Sequence, residues 1–219
     1  MRVLVACEFS GTVRDAFAAL DHDALSCDLL PSERPGHHYQ GDVRDVLHHG
    51  WDLMVCHPPC THLAVSGARW FAEKRQEQEE ALGFVRLLLD APIERIALEN
   101  PVSVISSRIR RPEQIVQPWQ FGHPETKATC LWLKNLPKLV PTDIVEGREA
   151  RVHRMPPGPD RWKERSRTLP GIAAAMAAQW GNPSTLPAPD RDAATAAPSD
   201  RSESGSSGGA GFLPHQRNP

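Results

Sequence analysis

Leu53-Met54-Val55-Cys56 is a short apolar run that stops at His57-Pro58-Pro59-Cys60. Four unbroken apolar residues read as a strand buried on both faces, the mark of a parallel sheet rather than a half-wetted hairpin. Two successive prolines cannot continue a central strand, so its carboxyl end is fixed close to His57. In an open α/β sheet, ligands bind outside the carboxyl ends of the strands. Cys60 therefore falls where chemistry is expected, in a stiffened loop. A cysteine taken alone is more often a small buried hydrophobe. What singles Cys60 out is the set of polar groups at the other strand ends.

Arg2 to Cys7, Ala24 to Cys27 and Arg95 to Leu98 are further apolar runs, and another strand is expected to end near Gly41-Asp42-Val43. Between the first two, Ser10 or Thr12 can cap a helix whose Val13, Ala16, Phe17 and Leu20 share one face. Residues 72–90 carry Ala81, Leu82, Val85, Leu88 and Leu89 at helical spacing. Strands alternating with helices predict an α/β fold with a doubly wound, mostly parallel sheet. Thr129 to Leu133 reads as a later strand. Gly171 to Trp180 reads as an alanine-rich helix closed by Gly181-Asn182 and Pro183.

The organisation that follows has a catalytic, cofactor-binding domain over 1–136 and a helix returning to it over 167–182. Between them, residues 137–166 form a reduced basic segment, rich in Pro and Arg and expected to be irregular. From Pro183 onward only Leu186, Phe212 and Leu213 are large and apolar. Such a composition cannot offset its ordering entropy, so 183–219 is expected to be a disordered tail.

The net charge of −2 gives no global basic field. Residues 148–167 nevertheless hold seven basic side chains against three acidic ones, and Arg108, Arg110 and Arg111 form a second cluster. Phosphate contact and a solvated surface are both compatible with such runs. The five cysteines are odd in number and scattered, and the apolar run at the start is too short for a secretory signal. No stretch has the length of a membrane span. The expectation is a cytoplasmic protein with reduced thiols and no membrane partner.

Asp28, Asp42, Cys60 and Glu99 each follow an expected strand. Acidic groups there suit ribose hydroxyls and an adenine amino group. They do not suit a phosphate, and no Walker-type loop is present. A nucleoside-bearing cofactor without a phosphate clamp is favoured, and S-adenosylmethionine fits that description.

With these residues in view, the chain resembles the DNA C5-cytosine methyltransferases, in a shortened form of the kind carried by phages. Phe9-Ser10-Gly11 resembles the family's Phe-x-Gly-x-Gly. Asp28 falls at the acidic position after the second strand, and Gly41-Asp42-Val43 matches a Gly-Asp-Ile type segment. Pro58-Pro59-Cys60 with Gly67 matches the nucleophile loop Pro-Pro-Cys-x-x-x-Ser-x-x-Gly. Glu99-Asn100-Pro101 resembles Glu-Asn-Val, and Gln179-Trp180-Gly181-Asn182 resembles Gln-x-Gly-Asn. The likeness runs over about residues 1–182 in family order. Departures are Val13 and Arg14 where the family has glycines, Ala64 for the serine after the nucleophile, and no arginine pair beyond Glu-Asn. Lys127 is the nearest substitute for that pair.

The resemblance implies a Rossmann-like, S-adenosylmethionine-dependent methyltransferase fold, in a bacterial or phage-infected cell. It implies methyl transfer to cytosine C5 in DNA, with Cys60 as nucleophile at C6 and Glu99 as the acid at N3. It places S-adenosylmethionine against Phe9, Gly11, Asp28, Leu29, Asp42, Val43, Pro59 and Asn182. DNA would lie against Lys127, Arg108, Arg110, Arg151, Arg154 and Arg165. With its recognition region cut to about 137–166, the chain leaves room for a partner protein that supplies specificity. Two alternatives stay open: an enzyme acting on a modified or free pyrimidine or transferring another one-carbon group, and a catalytically degenerate DNA-binding module. Cys56, His57, Cys60 and His62 are zinc-ligand types, but all four lie within seven residues around two prolines, so no metal site is expected.

Overall fold

Side-chain alternation along the first strand, β1 (Arg2–Ala6), sets the architecture. Val3 and Val5 pack into one hydrophobic cluster, Leu4 and Ala6 into another, and all four are fully buried. A strand apolar on both faces needs cover on both. The computed structural model describes residues 1–182 and supplies it with helices on either side.

In chain order, β1 leads to α1 (Thr12–Ala18), β2 (Asp23–Asp28), β3 (His38–Gln40) and β4 (Leu53–Cys56). There follow α2 (Arg75–Leu89), β5 (Arg95–Pro101), α3 (Ile105–Arg108), β6 (Gln114–Val116) and β7 (Thr129–Lys134). Three helices close the described chain: α4 (Arg151–Arg154), α5 (Arg161–Ser166) and α6 (Pro170–Trp180). The seven strands form one sheet in the order β3-β2-β1-β4-β5-β7-β6. Neighbours from β3 to β5 are parallel, and β7 runs antiparallel to both β5 and β6. The architecture is mixed α/β with a mostly parallel sheet.

One face is covered by α1 and α6, with Val13, Phe17, Ile172, Met176 and Trp180 against Val3, Val5, Leu53 and Val55. The other is covered by α2, whose Leu82, Val85 and Leu88 meet Leu4, Met54, Ile96 and Leu98. Burying a side chain of this size contributes roughly 1.5–3 kcal/mol. The two large indoles keep their polar ends satisfied: Trp180 Nε1 donates to the Pro137 carbonyl at 2.9 Å, and Trp132 Nε1 to the Arg110 carbonyl at 2.7 Å.

The β4 run occupies the expected residues, and β1, β2, β5, β7, α2 and α6 lie within a few residues of expectation. Four short elements depart from it. β6 and α3 had no expected counterpart, and 137–166 is not wholly irregular, since α4 and α5 lie inside it. The segment expected to be a disordered tail, 183–219, lies outside the described residues. No helix among the described residues is long and apolar enough to cross a membrane.

Candidate active site

Chain connections at β1 and β4 leave the sheet in opposite directions. β1 continues to β2 on one side, while β4, its neighbour on the other, continues to β5. The crevice outside the carboxyl ends of such a pair is where an α/β sheet binds ligands. Along this edge stand Asp28 at the end of β2, Cys7 and Glu8 after β1, His57 to Cys60 after β4, and Glu99 near the end of β5.

The Cys60 loop is held from several sides. Asn100 Nδ2 donates to the Pro58 carbonyl at 2.9 Å. The Cys60 carbonyl accepts from the backbone N–H groups of Leu63 and Ala64, at 3.0 and 2.9 Å. Further along, Val65 N–H donates to Val102 O and Val104 N–H to Leu63 O, while Gln78 Nε2 donates to the His62 carbonyl. The loop is thus stitched to the continuation of β5 and to α2. Cys60 itself is half-buried, and Pro59 is exposed beside it.

Cys60 and Glu99 interact electrostatically. Burial pushes the Cys60 thiol up, the Glu99 carboxylate adds to the rise, and Arg165 and Lys127 oppose it. Burial also penalises the Glu99 carboxylate. A hydrogen bond from His57, the charge on His57 and that on Lys127 outweigh the penalty and hold Glu99 below its ordinary range. The His57 Nδ1 to Glu99 Oε2 distance is 3.1 Å. Cys60, Glu99, His57, Lys127 and Arg165 therefore share one place, although they come from four separate stretches of chain. Cys56 does not belong to it, being fully buried in the core beneath. Among the described residues, no group of three or more His, Cys, Asp or Glu side chains is placed to hold a metal ion.

On the cofactor side, Gly11 begins α1 with φ of 71°, where a Cβ would also stand 2.5 Å from the Arg14 guanidinium. The first amides of α1 are already taken. Glu8, nearly buried, accepts from Val13 N–H at 2.6 Å and Arg14 N–H at 3.2 Å. A carboxylate in that position disfavours a phosphate there by charge and by occupancy. Arg14 does not fill the crevice. Its guanidinium turns away to an ion pair with Asp15 at 2.7 Å and hydrogen bonds to Ser26, Ser32 and the Pro35 carbonyl, tying down the 32–35 loop.

Asp28 uses one oxygen on the Leu30 N–H at 2.9 Å, and burial raises its carboxyl above the ordinary range. Leu29 beside it is 72% exposed, an apolar side chain standing free at the strand end. Asp42 caps a 3-10 turn over Val43–Asp45: it accepts from Arg44 N–H at 2.9 Å and pairs with the Arg44 guanidinium at 2.7 Å. The Val43 side chain is buried in the core, and its carbonyl accepts from Val46 and Leu47 N–H. Asn182 is not brought to this group. Gly181 abuts His22, whose neighbour Met1 begins the sheet, so the end of α6 lies at the opposite edge. It is the start of α6 that reaches the crevice. Thr168, Leu169 and Pro170 line a cavity of about 140 Å³ with Thr12 and Lys127.

The basic residues divide into two sets. Lys127 lies part-buried with Nζ on the Arg167 carbonyl at 2.9 Å, and Arg151 lines the same cavity, paired with Glu125 at 2.8 Å. Arg165 acts on Cys60 from this side, and Arg154 is exposed on α4. Arg108 is paired with Glu79 of α2 and Arg110 with Glu113, and Arg110 also reaches the Leu133 carbonyl near the far end of β7. Sequence reading missed Trp162, 53% exposed on α5, whose ring lies 6.0 Å from that of Phe9. It missed also the loop-holding role of Asn100 and the pairing of His57.

No family model matches the chain, and no curated protein matches it. Among solved structures, it is similar to an E. coli prophage-encoded protein provisionally described as a DNA modification methyltransferase, at 14% identity and a TM-score of 0.42. The match covers 66% of this chain and 51% of that one, so this chain spans about half the length of that structure.

Proposed function

We propose that the chain is an S-adenosylmethionine-dependent methyltransferase acting on C5 of cytosine in DNA through a covalent Cys60–C6 adduct. The observation that carries this reading is the convergence of Cys60 and Glu99 from two different strand ends, with Lys127 and Arg165 beside them. Cytosine C5 is a poor nucleophile until a thiolate has added at C6. The Cys60 thiolate supplies that addition, and its later departure restores the ring. Glu99 faces N3, where charge develops, and passes a proton to it. Lys127 and Arg165 stabilise the thiolate. S-Adenosylmethionine would supply an electrophilic methyl group, held between Phe9, Leu29 and Asp28 at the switch point. The donor set fits it: an apolar ring, a carboxylate at the end of β2, and a helix terminus already occupied by Glu8. A base in duplex DNA must leave the stack to reach Cys60.

The test is incubation with labelled S-adenosylmethionine and DNA, followed by nucleoside analysis. Label in 5-methylcytosine, lost in Cys60→Ser, is the expected result. Label in another pyrimidine would move the substrate, and binding of DNA without transfer would leave a binding module.

A further inference from the structure

Resting on that reading, we infer that His57 and Glu99 form one proton-carrying pair, with His57 storing on Nδ1 the proton that Glu99 delivers to N3 of the target base. The two side chains are 3.1 Å apart and only 9% and 12% exposed. His57 is fixed by its backbone, whose N–H donates to the Ala6 carbonyl at 2.9 Å and carries the β1–β4 pairing one step past the strand. That bond fixes the backbone from which the ring reaches Glu99.

Two features separate a proton carrier from a tether. First, His57 Nε2 is buried and has no hydrogen-bond partner. Leaving such an atom unpaired is costly, and a glutamine could donate to Glu99 without carrying an imidazole's second nitrogen. An imidazole does what an amide cannot: it holds a proton on each nitrogen and releases one. Second, the His57 hydrogen bond, with the charges of His57 and Lys127, holds the Glu99 carboxyl below its ordinary range against burial, which favours the carboxylate. A carboxylate has no proton to give, so the acid step at N3 requires a donor behind it.

The other charged and titratable groups facing the pair are few. Asp28 faces His57 from β2, and Lys127 faces Glu99 from the segment before β7. The thiols of Cys60, Cys56 and Cys130 face Glu99. None offers a proton source as close as His57. The cycle balances. As the Cys60 thiolate adds to C6, the Nδ1 proton passes to Glu99 and from Glu99 to N3, leaving neutral His57 with its proton on Nε2. After methylation the C5 proton is lost to water. The thiolate then leaves, and the N3 proton returns through Glu99 to His57.

The first measurement needs no activity. Nitrogen-15 spectra of histidine-labelled protein, with His57 assigned by its absence in His57→Gln, follow its two ring nitrogens through a pH titration. In Glu99→Gln the Nδ1 signal should move away from its wild-type position across the titration, because its carboxylate partner at 3.1 Å is gone. Identical titrations would overturn the pair. The second measurement is covalent capture of DNA containing 5-fluorocytosine against pH. His57→Gln, checked for unchanged denaturation and cofactor binding, should capture at least tenfold more slowly. It should also lose the alkaline fall of the wild-type profile. Capture at the wild-type rate with the wild-type profile would overturn the inference. Wild type that captures no pyrimidine would overturn the methyltransferase reading and the delivery step with it, while the titration separately upholds or overturns the pair.

Discussion

Asn100 donates from Nδ2 to the carbonyl of Pro58 at 2.9 Å, so the strand that carries Glu99 also holds the loop that carries Cys60. The two groups of the proposed chemistry are positioned by one buried amide, not by two independent loops. Asn100 is 1% exposed, and its Oδ1 has no partner in the interior.

Asn100→Ala should lower unfolding free energy by about 1–3 kcal/mol, the cost of an unmet buried carbonyl at Pro58. Denaturant titration measures it. Covalent capture by the variant should fall further than its stability at working temperature explains, because the Cys60 loop loses its anchor.

The two neighbouring cysteines should separate cleanly. Cys60→Ala should remain within about 0.5 kcal/mol of wild type, as expected for a half-buried side chain on a loop, and should capture no 5-fluorocytosine DNA. Cys56→Ala should cost about 1–2 kcal/mol by leaving a void in the core, and should still capture. Equal capture by Cys60→Ala and wild type would remove Cys60 from the chemistry.

Cys60 reactivity should rise with pH, because burial and the Glu99 carboxylate raise the thiol above its ordinary range and only the thiolate reacts. Glu99→Gln removes one of those two causes. Alkylation of Cys60 by iodoacetamide at neutral pH, followed by peptide mass analysis, should therefore be several-fold faster in the variant. Turnover should move the other way, falling by something like 10²–10⁴-fold. Slower alkylation in Glu99→Gln would contradict the placement of its charge.

S-Adenosylmethionine should bind with micromolar affinity, on the order of −8 kcal/mol. Asp28→Asn should weaken it roughly 10-fold or more, the loss expected for a hydrogen bond to a charged acceptor. Asp42→Ala should weaken it less, since the Asp42 carboxylate is already committed to Arg44. Calorimetry reads both, and absence of any heat with the cofactor or its demethylated product would reject the crevice assignment.

DNA affinity should fall steeply with salt and vary little with sequence. Trp162 fluorescence should be quenched on binding, since an exposed indole between Arg161 and Arg165 offers a stacking surface for an unpaired base. Arg165→Ala should reduce the salt slope, whereas Arg108→Ala, whose guanidinium is committed to Glu79, should change it less. Equal effects from the two would place DNA across a different surface.

What the sequence made legible was whatever follows from local pattern. The four apolar residues of β4 and the prolines after them locate Cys60, because burial on both faces and a missing donor are written in consecutive residues. β6 has only three residues, and side chains hold it in place: Glu113 accepts from Leu133 N–H, and Gln114 exchanges bonds with Leu139. No run of three carries a period. α5 buries none of its residues, so it has no apolar stripe to betray it. The His57–Glu99 pair joins positions separated by 42 residues, a relation that exists only once β4 and β5 lie side by side. Asn182 went astray for a reason of direction. α6 starts at the crevice and runs away from it, so a motif at its end arrives at the wrong edge.

Glu8, lodged against the first amides of α1, bears on which adenosine derivatives this crevice can admit. Adenosine triphosphate and S-adenosylmethionine share a base and a sugar, so contacts to those parts cannot tell them apart. Their tails differ in sign: one carries several negative charges, the other a sulfonium. In the proposed crevice, a fixed carboxylate where phosphates would otherwise settle would turn that difference into rejection of one and tolerance of the other. Glu8→Gln should accordingly loosen the discrimination, and the abundant nucleotide would then compete for a place it is now denied.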